Sequence, residues 1–180
     1  MHLRLERWKS PVDDLLLVTD GDGILRSLDF ADKESRMNRL LRLHYGTYTL
    51  KEGAAPKSVT RALKAYFDGD MEALNAVRIA TGGTDFQRAV WKGLRAIPSG
   101  ATQTYGELAD SIGRAGASRA VGAANGSNPI AIVVPCHRVI GANGTLTGFA
   151  GGLGRKKWLL DHERKYSKVL GELLFEKCLA

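Results

Sequence analysis

The chain has 180 residues, of which 44% are hydrophobic and 25% are charged, and its formal net charge at pH 7 is +7. This length is sufficient to bury a sizeable core, arranged as one domain or as two small ones. No segment approaches the roughly 18 consecutive apolar residues of a transmembrane helix, and residues 1–7 lack the apolar stretch of a secretory signal. The sequence therefore predicts a cytoplasmic protein without a membrane span.

The positive charge is distributed unevenly along the chain. Residues 1–83 contain 13 basic and 12 acidic side chains, whereas residues 84–180 contain 13 basic and 7 acidic ones. An excess of this kind favours a polyanionic partner, with nucleic acid as the first candidate and an anionic membrane as the second. On charge alone, the alternative is a soluble surface with an ordinary positive bias.

The first half is predicted to form a small sheet with a packed helix. Two β-rich runs flank Asp20-Gly21-Asp22-Gly23, which is typical of a hairpin turn. Apolar residues recur at helical spacing over residues 59–67 after Ser58, and Gly69 is expected to end that helix. Nothing in this half carries recognisable chemistry, so a supporting role is expected.

A natural linker, Thr81-Gly82-Gly83, separates the two halves. We therefore expect an N-terminal α/β support domain at residues 1–83 and a second, mostly helical domain at residues 84–180. The predicted fold class is α+β, with the small sheet first and a helix-turn-helix and a short active-site strand in the second domain.

Three helix starts are predicted in the second half. Capping boxes at 84–87 and 104–107 each mark one start, and Ser118 is expected to cap a third helix after a short turn. The last two helices form a helix-turn-helix pattern. The final helix has few bulky apolar residues and begins with Arg119, as suits a helix that lies against a phosphate backbone. Packing in an ordinary core is the alternative, because helix pairs are common there.

A thiol and an imidazole stand side by side in the second half. The apolar run 130–134 predicts a buried strand that leads through Pro135 to Cys136, His137 and Arg138. A free cysteine is only slightly ionised at neutral pH, so a nucleophilic one needs a neighbouring base or a positive field. The two residues after Cys136 supply both, which indicates a nucleophile.

The adjacency of the two groups imposes a geometric condition. Consecutive strand residues point to opposite faces, so Cys136 and His137 can communicate only if the chain bends there or a water bridges them. A water relay needs a third group to hold the imidazole. Either Asp161 or Glu163, near the end of a predicted helix, is expected to supply that carboxylate.

The remaining patterns indicate no cofactor and no metal. Cys136 and Cys178 lack the spacing of a zinc site and are too few for a disulfide framework. The glycine-rich segment 148–154 has no surrounding βαβ unit, so we interpret it as a loop that passes close to a ligand. Residues 165–180 have the pattern of an amphipathic packing helix, in which Cys178 is expected to be a packed or frayed thiol.

Several of these motifs together resemble the O6-alkylguanine-DNA alkyltransferases in their bacterial constitutive form. The resemblance covers residues 82–163 and is weaker in the N-terminal half. The four-cysteine zinc domain of the adaptive-response relative is absent from this sequence. The motifs that carry it are Pro135-Cys136-His137-Arg138-Val139-Ile140-Gly141, Gly151-Gly152-Leu153, Lys157-Trp158-Leu159-Leu160-Asp161-His162-Glu163, Arg119-Ala120-Val121-Gly122 and Gly126-Ser127-Asn128-Pro129.

The resemblance implies an enzyme that repairs DNA by direct and stoichiometric alkyl transfer. Such a protein binds duplex DNA through the minor groove, turns an O6-alkylguanine out of the stack and moves the alkyl group onto its own cysteine. O4-alkylthymine is a second candidate lesion. The product is a thioether, which has no carbonyl for water to attack, so the protein inactivates itself. The implied partner is double-stranded DNA with alkylated bases, bound by a monomer that can cluster on DNA, with no membrane partner.

Residue roles also follow from the resemblance. Cys136 is the implied acceptor, His137 the water-mediated base and Glu163 the group that orients it. The implied DNA-binding and base-flipping residues are Tyr105, which turns the nucleotide out, Arg119, which fills the vacated stack, Asn128, which is the hinge to the active site, and Ser118 and Gly122. The implied pocket is formed by Pro135, Val139, Gly148, Phe149, Ala150 and Gly151. Here Phe149 and Ala150 replace a tyrosine and a serine of some relatives, which removes two hydroxyl groups.

Three other classes of protein share parts of this pattern. A DNA-damage sensor of the alkyltransferase-like type carries tryptophan in place of the acceptor, and Cys136 argues against it. In a helix-turn-helix regulator the Cys-His pair would be incidental. A cysteine hydrolase would turn over and would require an oxyanion hole, which the sequence does not locate.

Overall fold

A computed structural model describes the backbone of residues 1–179 and the side chains of residues 1–167. The chain begins with a four-stranded sheet. Its strands are β1 (His2–Trp8), β2 (Leu15–Thr19), β3 (Leu25–Phe30) and β4 (Thr49–Glu52), in the spatial order β3-β2-β1-β4. Strand β1 is antiparallel to β2 and parallel to β4. The predicted hairpin is confirmed, since Asp20 to Gly23 joins β2 to β3, with Gly23 at φ 74°.

Both faces of this sheet are covered. Helix α1 (Glu34–Tyr45) packs on one face, where Met37 and Leu41 contact Leu16 and Val18 of β2. Helix α2 (Lys57–Asp68) packs on the other face, toward which the alternate residues of β2 point. The predicted helix is thus confirmed, and Gly69 ends it in the left-handed conformation. Helix α1 and strands β1 and β4 were not predicted.

The second half is mostly helical. Its elements are α3 (Asp85–Ala96), β5 (Gln103–Thr104), α4 (Tyr105–Ser111), α5 (Ser118–Gly126), β6 (Val139–Ile140) and α6 (Leu153–Leu179). Both capping boxes are present, with the Thr84 and Thr104 hydroxyls accepting from the backbone N–H groups three residues later. The expected cap at Ser118 is wrong: Ser118 is the first residue of α5, Ala117 occupies the N-cap position, and no side chain caps the helix.

The buried strand expected at residues 130–134 does not form. Ile130 makes one isolated bridge with Leu28, and the chain then turns, with the Val134 N–H donating to the Ile130 carbonyl at 2.9 Å. Ile132 has φ 70°, which is rare and strained for a β-branched residue. The run is apolar because it is buried between the two halves, and burial alone does not distinguish a strand from a turn. The only strand near Cys136 within the described residues is β6, which follows it and pairs in parallel with β5.

One interior connects the two halves. A single cluster of buried side chains contains Leu28 and Leu63 from the first half and Trp91 and Val134 from the second. Backbone hydrogen bonds between Leu28 and the 129–131 segment reinforce this contact, with Leu28 N–H to Pro129 O at 3.0 Å. The sheet therefore supports the turn that leads to Cys136.

Two further findings concern regions outside this core. No helix in the described part of the chain is long and apolar enough to cross a bilayer. Helix α6 includes most of the segment predicted to be an amphipathic helix. The side chains that would test its packing, from residue 168 onward and including Cys178, lie outside the described residues.

Candidate active site

Cys136 begins a single 3₁₀ turn that ends at Arg138. Pro135 precedes it, and the Cys136 N–H donates to the Val134 carbonyl at 2.8 Å. The chain therefore bends at the cysteine. Such a bend was one of the two ways in which the adjacent thiol and imidazole could communicate. Cys136 is buried, with only 5% of its surface exposed.

Asn128 fixes the bend from the end of α5. Its Nδ2 donates to the Val134 carbonyl at 2.8 Å, and its Oδ1 accepts from the Ile130 N–H at 3.0 Å. Asn125, one turn earlier, donates to the Cys136 carbonyl at 3.4 Å. Two buried amide side chains, in α5 and just after it, thus join this helix to the turn that carries the thiol.

His137 lies in a fully buried polar cluster. Its Nε2 is 2.7 Å from Glu163 Oε1, and both side chains are 0% exposed. Arg138 donates to both Glu163 oxygens at 2.9 Å and to the Ile97 carbonyl at 2.6 Å. Tyr66, from α2, donates its hydroxyl to Glu163 Oε1 at 2.8 Å. Asp161 is exposed and pairs with Lys157 instead, so Glu163 is the carboxylate that contacts the imidazole.

The cluster keeps Glu163 ionised. Burial by itself raises the pKa of a carboxyl. The charge that His137 carries when protonated, the hydrogen bonds from His137 and Arg138, and the charge of Arg138 hold the pKa of Glu163 well below its usual range. The pKa of Tyr66 is raised well above its usual value by burial and by the adjacent carboxylate, so this hydroxyl remains a hydrogen-bond donor. A buried, negatively charged acceptor is therefore fixed beside the imidazole.

This arrangement selects one tautomer of His137. The ionised carboxylate can only accept a hydrogen bond, so the neutral imidazole carries its proton on Nε2. Nδ1 is then a lone-pair acceptor, and it has no hydrogen-bonding partner among the described residues. The imidazole therefore presents a base at Nδ1 and keeps its other nitrogen on Glu163.

Burial favours the neutral form of the Cys136 thiol. Burial raises the pKa of Cys136, and the Asn128 amide and the positive charges of Arg36 and Lys156 oppose that rise without cancelling it. A cysteine in this environment requires a base to become a nucleophile. The nitrogen left free on His137 can serve as that base.

The segment that leads into the glycine-rich loop is tied to β6 and α6. Lys156 is fully buried, and its Nζ donates to the carbonyls of Val139 at 2.5 Å and Thr147 at 2.7 Å. The Tyr105 hydroxyl donates to the same Thr147 carbonyl at 3.3 Å. Among the residues expected to form a pocket, Pro135, Val139 and Gly151 are buried, Phe149 and Ala150 are half-buried, and Gly148 is exposed.

The helix-turn-helix carries four of the predicted DNA-contacting residues, Tyr105 in α4 and the others in α5. Ser118 and Arg119 are exposed at the start of α5, and Gly122 lies one turn later. A Cβ atom added to Gly122 would be 3.8 Å from the Tyr105 ring, so Tyr105 packs against α5 at this point. Cys136, in contrast, is buried near the C-terminal end of α5, where Asn125 contacts its carbonyl.

The sequence did not identify Tyr66 or Lys156 as members of the site, and it singled out Arg138 only as a positive charge beside the thiol. Arg138 directly follows the thiol and the imidazole in the chain, but nothing in the sequence indicates that it is buried with a carboxylate. Tyr66 lies 97 positions from Glu163 and was recognised only as a core residue of its helix. No group of three or more His, Cys, Asp or Glu side chains suited to a metal occurs within the described residues.

The chain is similar to known proteins over most of its length. A family model described as the 6-O-methylguanine DNA methyltransferase, DNA binding domain, matches residues 85–165. The chain is 49% identical over 165 residues to the methylated-DNA–protein-cysteine methyltransferase of Salmonella typhimurium, covering 91% of this chain and 96% of that protein. It is 44% identical over 156 residues to the protein of the same name from Methanosarcina acetivorans, covering 87% and 95%.

Solved structures show the same relationship. A crystal structure of Mycobacterium tuberculosis OGT in complex with DNA superposes with a TM-score of 0.76 at 44% identity, covering 92% of this chain and 94% of that one. A structure of the O6-methylguanine-DNA methyltransferase of Pyrococcus kodakaraensis has a TM-score of 0.71 at 25% identity. Identity and coverage of this extent, over a shared α+β fold, show that the chain belongs to the 6-O-methylguanine DNA methyltransferase family.

Proposed function

We propose that this protein repairs DNA by transferring the alkyl group of O6-alkylguanine to its own Cys136, once per molecule. The observation that carries this proposal is the buried thiol on a 3₁₀ turn whose next residue, His137, is held by an ionised carboxylate. The names of the relatives, methylated-DNA–protein-cysteine methyltransferases, support the same reaction. The protein is accordingly an enzyme that works for a single turnover.

The geometry suggests how the proton and the alkyl group move. His137 Nδ1 takes the thiol proton of Cys136, directly or through a water, and the resulting imidazolium is stabilised by Glu163. The sulfur attacks the alkyl carbon, a carbon–sulfur bond forms, and the carbon–oxygen bond breaks. Its electron pair goes to the guanine, which takes up a proton and is restored. Arg138 and Tyr66 keep Glu163 in place and ionised throughout.

We propose that the exposed face around α5 binds the minor groove of duplex DNA. A stacked lesion cannot reach the buried thiol, so the nucleotide must be extruded at a cost of a few kcal/mol. Arg119 is suited to fill the vacated stack, because a guanidinium stacks on bases and bonds their edges. Tyr105 lies between α5 and the glycine-rich loop, where it can turn the nucleotide, and Ser118 and Gly122 line the same surface.

The pocket for the alkylated base is proposed to lie between the Cys136 turn and the glycine-rich loop. Pro135 and Val139 form its inner side, and Gly148, Phe149, Ala150 and Gly151 its outer wall. The aromatic ring and the methyl group at positions 149 and 150 make this wall less polar than one with tyrosine and serine. Contacts to the base then depend on shape, and O4-alkylthymine remains a second candidate substrate.

We propose that residues 1–83 support a DNA-binding and alkyl-accepting domain at 84–180. The start of the family match at residue 85 supports this division. A monomer that clusters on duplex DNA, located in the cytoplasm, is the proposed working form, and the DNA complex of the Mycobacterium tuberculosis relative supports DNA as the partner.

The test is to incubate the purified protein with a duplex that contains O6-methylguanine and to measure the mass of the intact protein and its peptides. We expect a gain of one methylene on Cys136 that saturates at one equivalent, and no gain in Cys136→Ala. Duplex binding by Cys136→Ala should remain near that of the wild type. Tight lesion binding by the wild type without any gain in mass would instead identify a damage sensor.

A further inference from the structure

Arg155, in the first turn of α6, contacts both halves of the molecule. Its Nε lies 2.7 Å from Asp13 Oδ2, and its Nη1 lies 2.8 Å from Asp32 Oδ1. The same Nη1 donates to the Gly151 carbonyl, within the glycine-rich loop, at 3.0 Å. One guanidinium therefore connects two carboxylates of the N-terminal half to the loop that forms the proposed pocket wall.

An aromatic contact lies under the same guanidinium. The Arg155 guanidinium carbon is 4.4 Å from the centre of the fully buried Phe30 ring at the end of β3. The Phe149 ring meets Phe30 edge-on, with centroids 6.3 Å apart and planes at 75°. A Cβ atom at Gly151 would lie only 2.5 Å from Phe30 and 2.6 Å from Phe149, so the backbone of the loop is fitted closely between these rings.

We propose that Arg155 is a positioning residue that sets the width of the alkyl pocket by clamping the loop onto the N-terminal half. The clamp consists of Arg155, Asp13, Asp32 and Phe30. It restrains Phe149 through the Phe30 ring and the closely fitted backbone at Gly151. This inference rests on the proposed function, because it assigns to the clamp the choice among alkyl groups for the same nucleophile.

The proposal predicts a change in selectivity when the clamp is released. In Arg155→Ala the loop is no longer held, so a bulky alkyl group on the lesion can enter the pocket without displacing a fixed Phe149. A methyl group, in contrast, loses a wall that orients it. We expect the ratio of transfer rates for O6-benzylguanine over O6-methylguanine to rise by about 5-fold or more. The two lesions are placed in otherwise identical duplexes, so any general change in DNA binding cancels in the ratio.

A second variant distinguishes the loss of the clamp from the loss of the positive charge of Arg155. Arg155→Ala removes a positive charge that could contact DNA, whereas the double variant Asp13→Asn, Asp32→Asn removes negative charge and keeps the arginine. If the clamp determines selectivity, both variants raise the benzyl-to-methyl ratio. Opposite changes in the two variants would mean that long-range electrostatics is responsible, and would overturn the proposal.

Arg7→Ala is a matched control for the loss of an ion-paired arginine. Arg7 also pairs with two carboxylates, Glu34 at 3.0 Å and Glu52 at 3.6 Å, and it lies outside the clamp. Its substitution should leave the ratio unchanged. Arg155→Lys retains the positive charge but not the planar guanidinium that spans Asp13 and Asp32, so it should give an intermediate benzyl-to-methyl ratio. As a milder change, it replaces Arg155→Ala in the test if that variant does not fold.

Hydrogen exchange provides a measurement that does not depend on alkyl transfer. The Gly152 N–H donates to the Phe149 carbonyl at 2.9 Å and should exchange faster in Arg155→Ala and in the double aspartate variant, but not in Arg7→Ala. Unchanged exchange or an unchanged ratio in both clamp variants would overturn the proposal. A wild-type protein that transfers no alkyl group would overturn the proposed function, while the exchange measurement would still test the clamp.

Discussion

The carboxylate of Glu163 accepts four hydrogen bonds. Oε1 accepts from His137, Tyr66 and Arg138, and Oε2 accepts a second bond from Arg138. A buried charge is tolerable only when it is paired and its remaining lone pairs are satisfied. The hydrogen bonds that make this burial possible also fix the imidazole in one orientation, so stability and the proposed base role of His137 both depend on Glu163.

Tyr66→Phe tests this coupling at the level of a single hydroxyl. Without the Tyr66 donor, Oε1 retains more negative charge for the imidazole and favours its positively charged form. We expect the midpoint of the pH profile for alkyl transfer to move upward and the free energy of unfolding to fall by about 1–3 kcal/mol. Single-turnover rates measured from about pH 5 to pH 9 would show the shift.

The control for this variant is Tyr45→Phe. The Tyr45 hydroxyl donates to the Ala80 carbonyl at 3.1 Å, outside the Glu163 cluster. Its loss should lower stability without moving the midpoint. An unshifted profile in Tyr66→Phe would mean that this hydroxyl only fills space and satisfies a lone pair.

At the scale of elements, the two capping boxes offer a matched pair. Thr84 and Thr104 begin α3 and α4 with the same reciprocal hydrogen bonds, but only Thr104 adjoins Tyr105 and strand β6. Replacing either threonine with alanine should lower the free energy of unfolding by about 1 kcal/mol. Only Thr104→Ala should also slow transfer from duplex DNA, by several-fold. Urea unfolding and single-turnover transfer would test this, and equal effects of both variants on transfer would contradict a special role for the start of α4.

The elements that the sequence predicted well are those with local signals. Gly69, the capping boxes and the hairpin turn each encode a boundary in a few adjacent residues, and all are present. The 130–134 run was misassigned because its apolarity reflects burial against Leu28, a contact across 102 residues of chain. Tyr66 was missed for the same reason, since its partner Glu163 is distant in sequence. Long-range contacts of this kind leave no periodic signature.

At the scale of the whole molecule, the buried carboxylates predict how stability depends on pH. The folded pKa of Glu163 lies well below its ordinary value of 4.5, so its contribution is fully present above that value and is lost as the pH falls below it. The contribution of Asp29 to stability has the opposite pH dependence, because burial raises the pKa of Asp29 despite its pairing with Arg36. Glu163 has the larger shift, so we expect a net loss of about 1–2 kcal/mol between about pH 5 and pH 3.

Urea unfolding at several pH values would measure this loss. Asp161→Asn, which removes an exposed carboxylate from the same helix, should retain the acid dependence, whereas Glu163→Gln should flatten it at a lower overall stability. A wild-type stability that is constant down to pH 3 would show that the buried cluster does not govern acid unfolding.

The position of Glu163 in the chain also has a consequence for biosynthesis. The ribosome makes Tyr66 and the sheet first, then the thiol and the imidazole, and only 26 residues after His137 the carboxylate that orients it. At ordinary elongation rates this leaves an interval of roughly 1–5 s in which the nascent chain carries the cysteine without its supported base. A protein that reacts only once cannot recover from a premature reaction. Because α6 follows the other elements of the site in the chain, Glu163 is made after Tyr66, His137 and Arg138, so the proposed base gains its support only after the turn that carries Cys136 has been made.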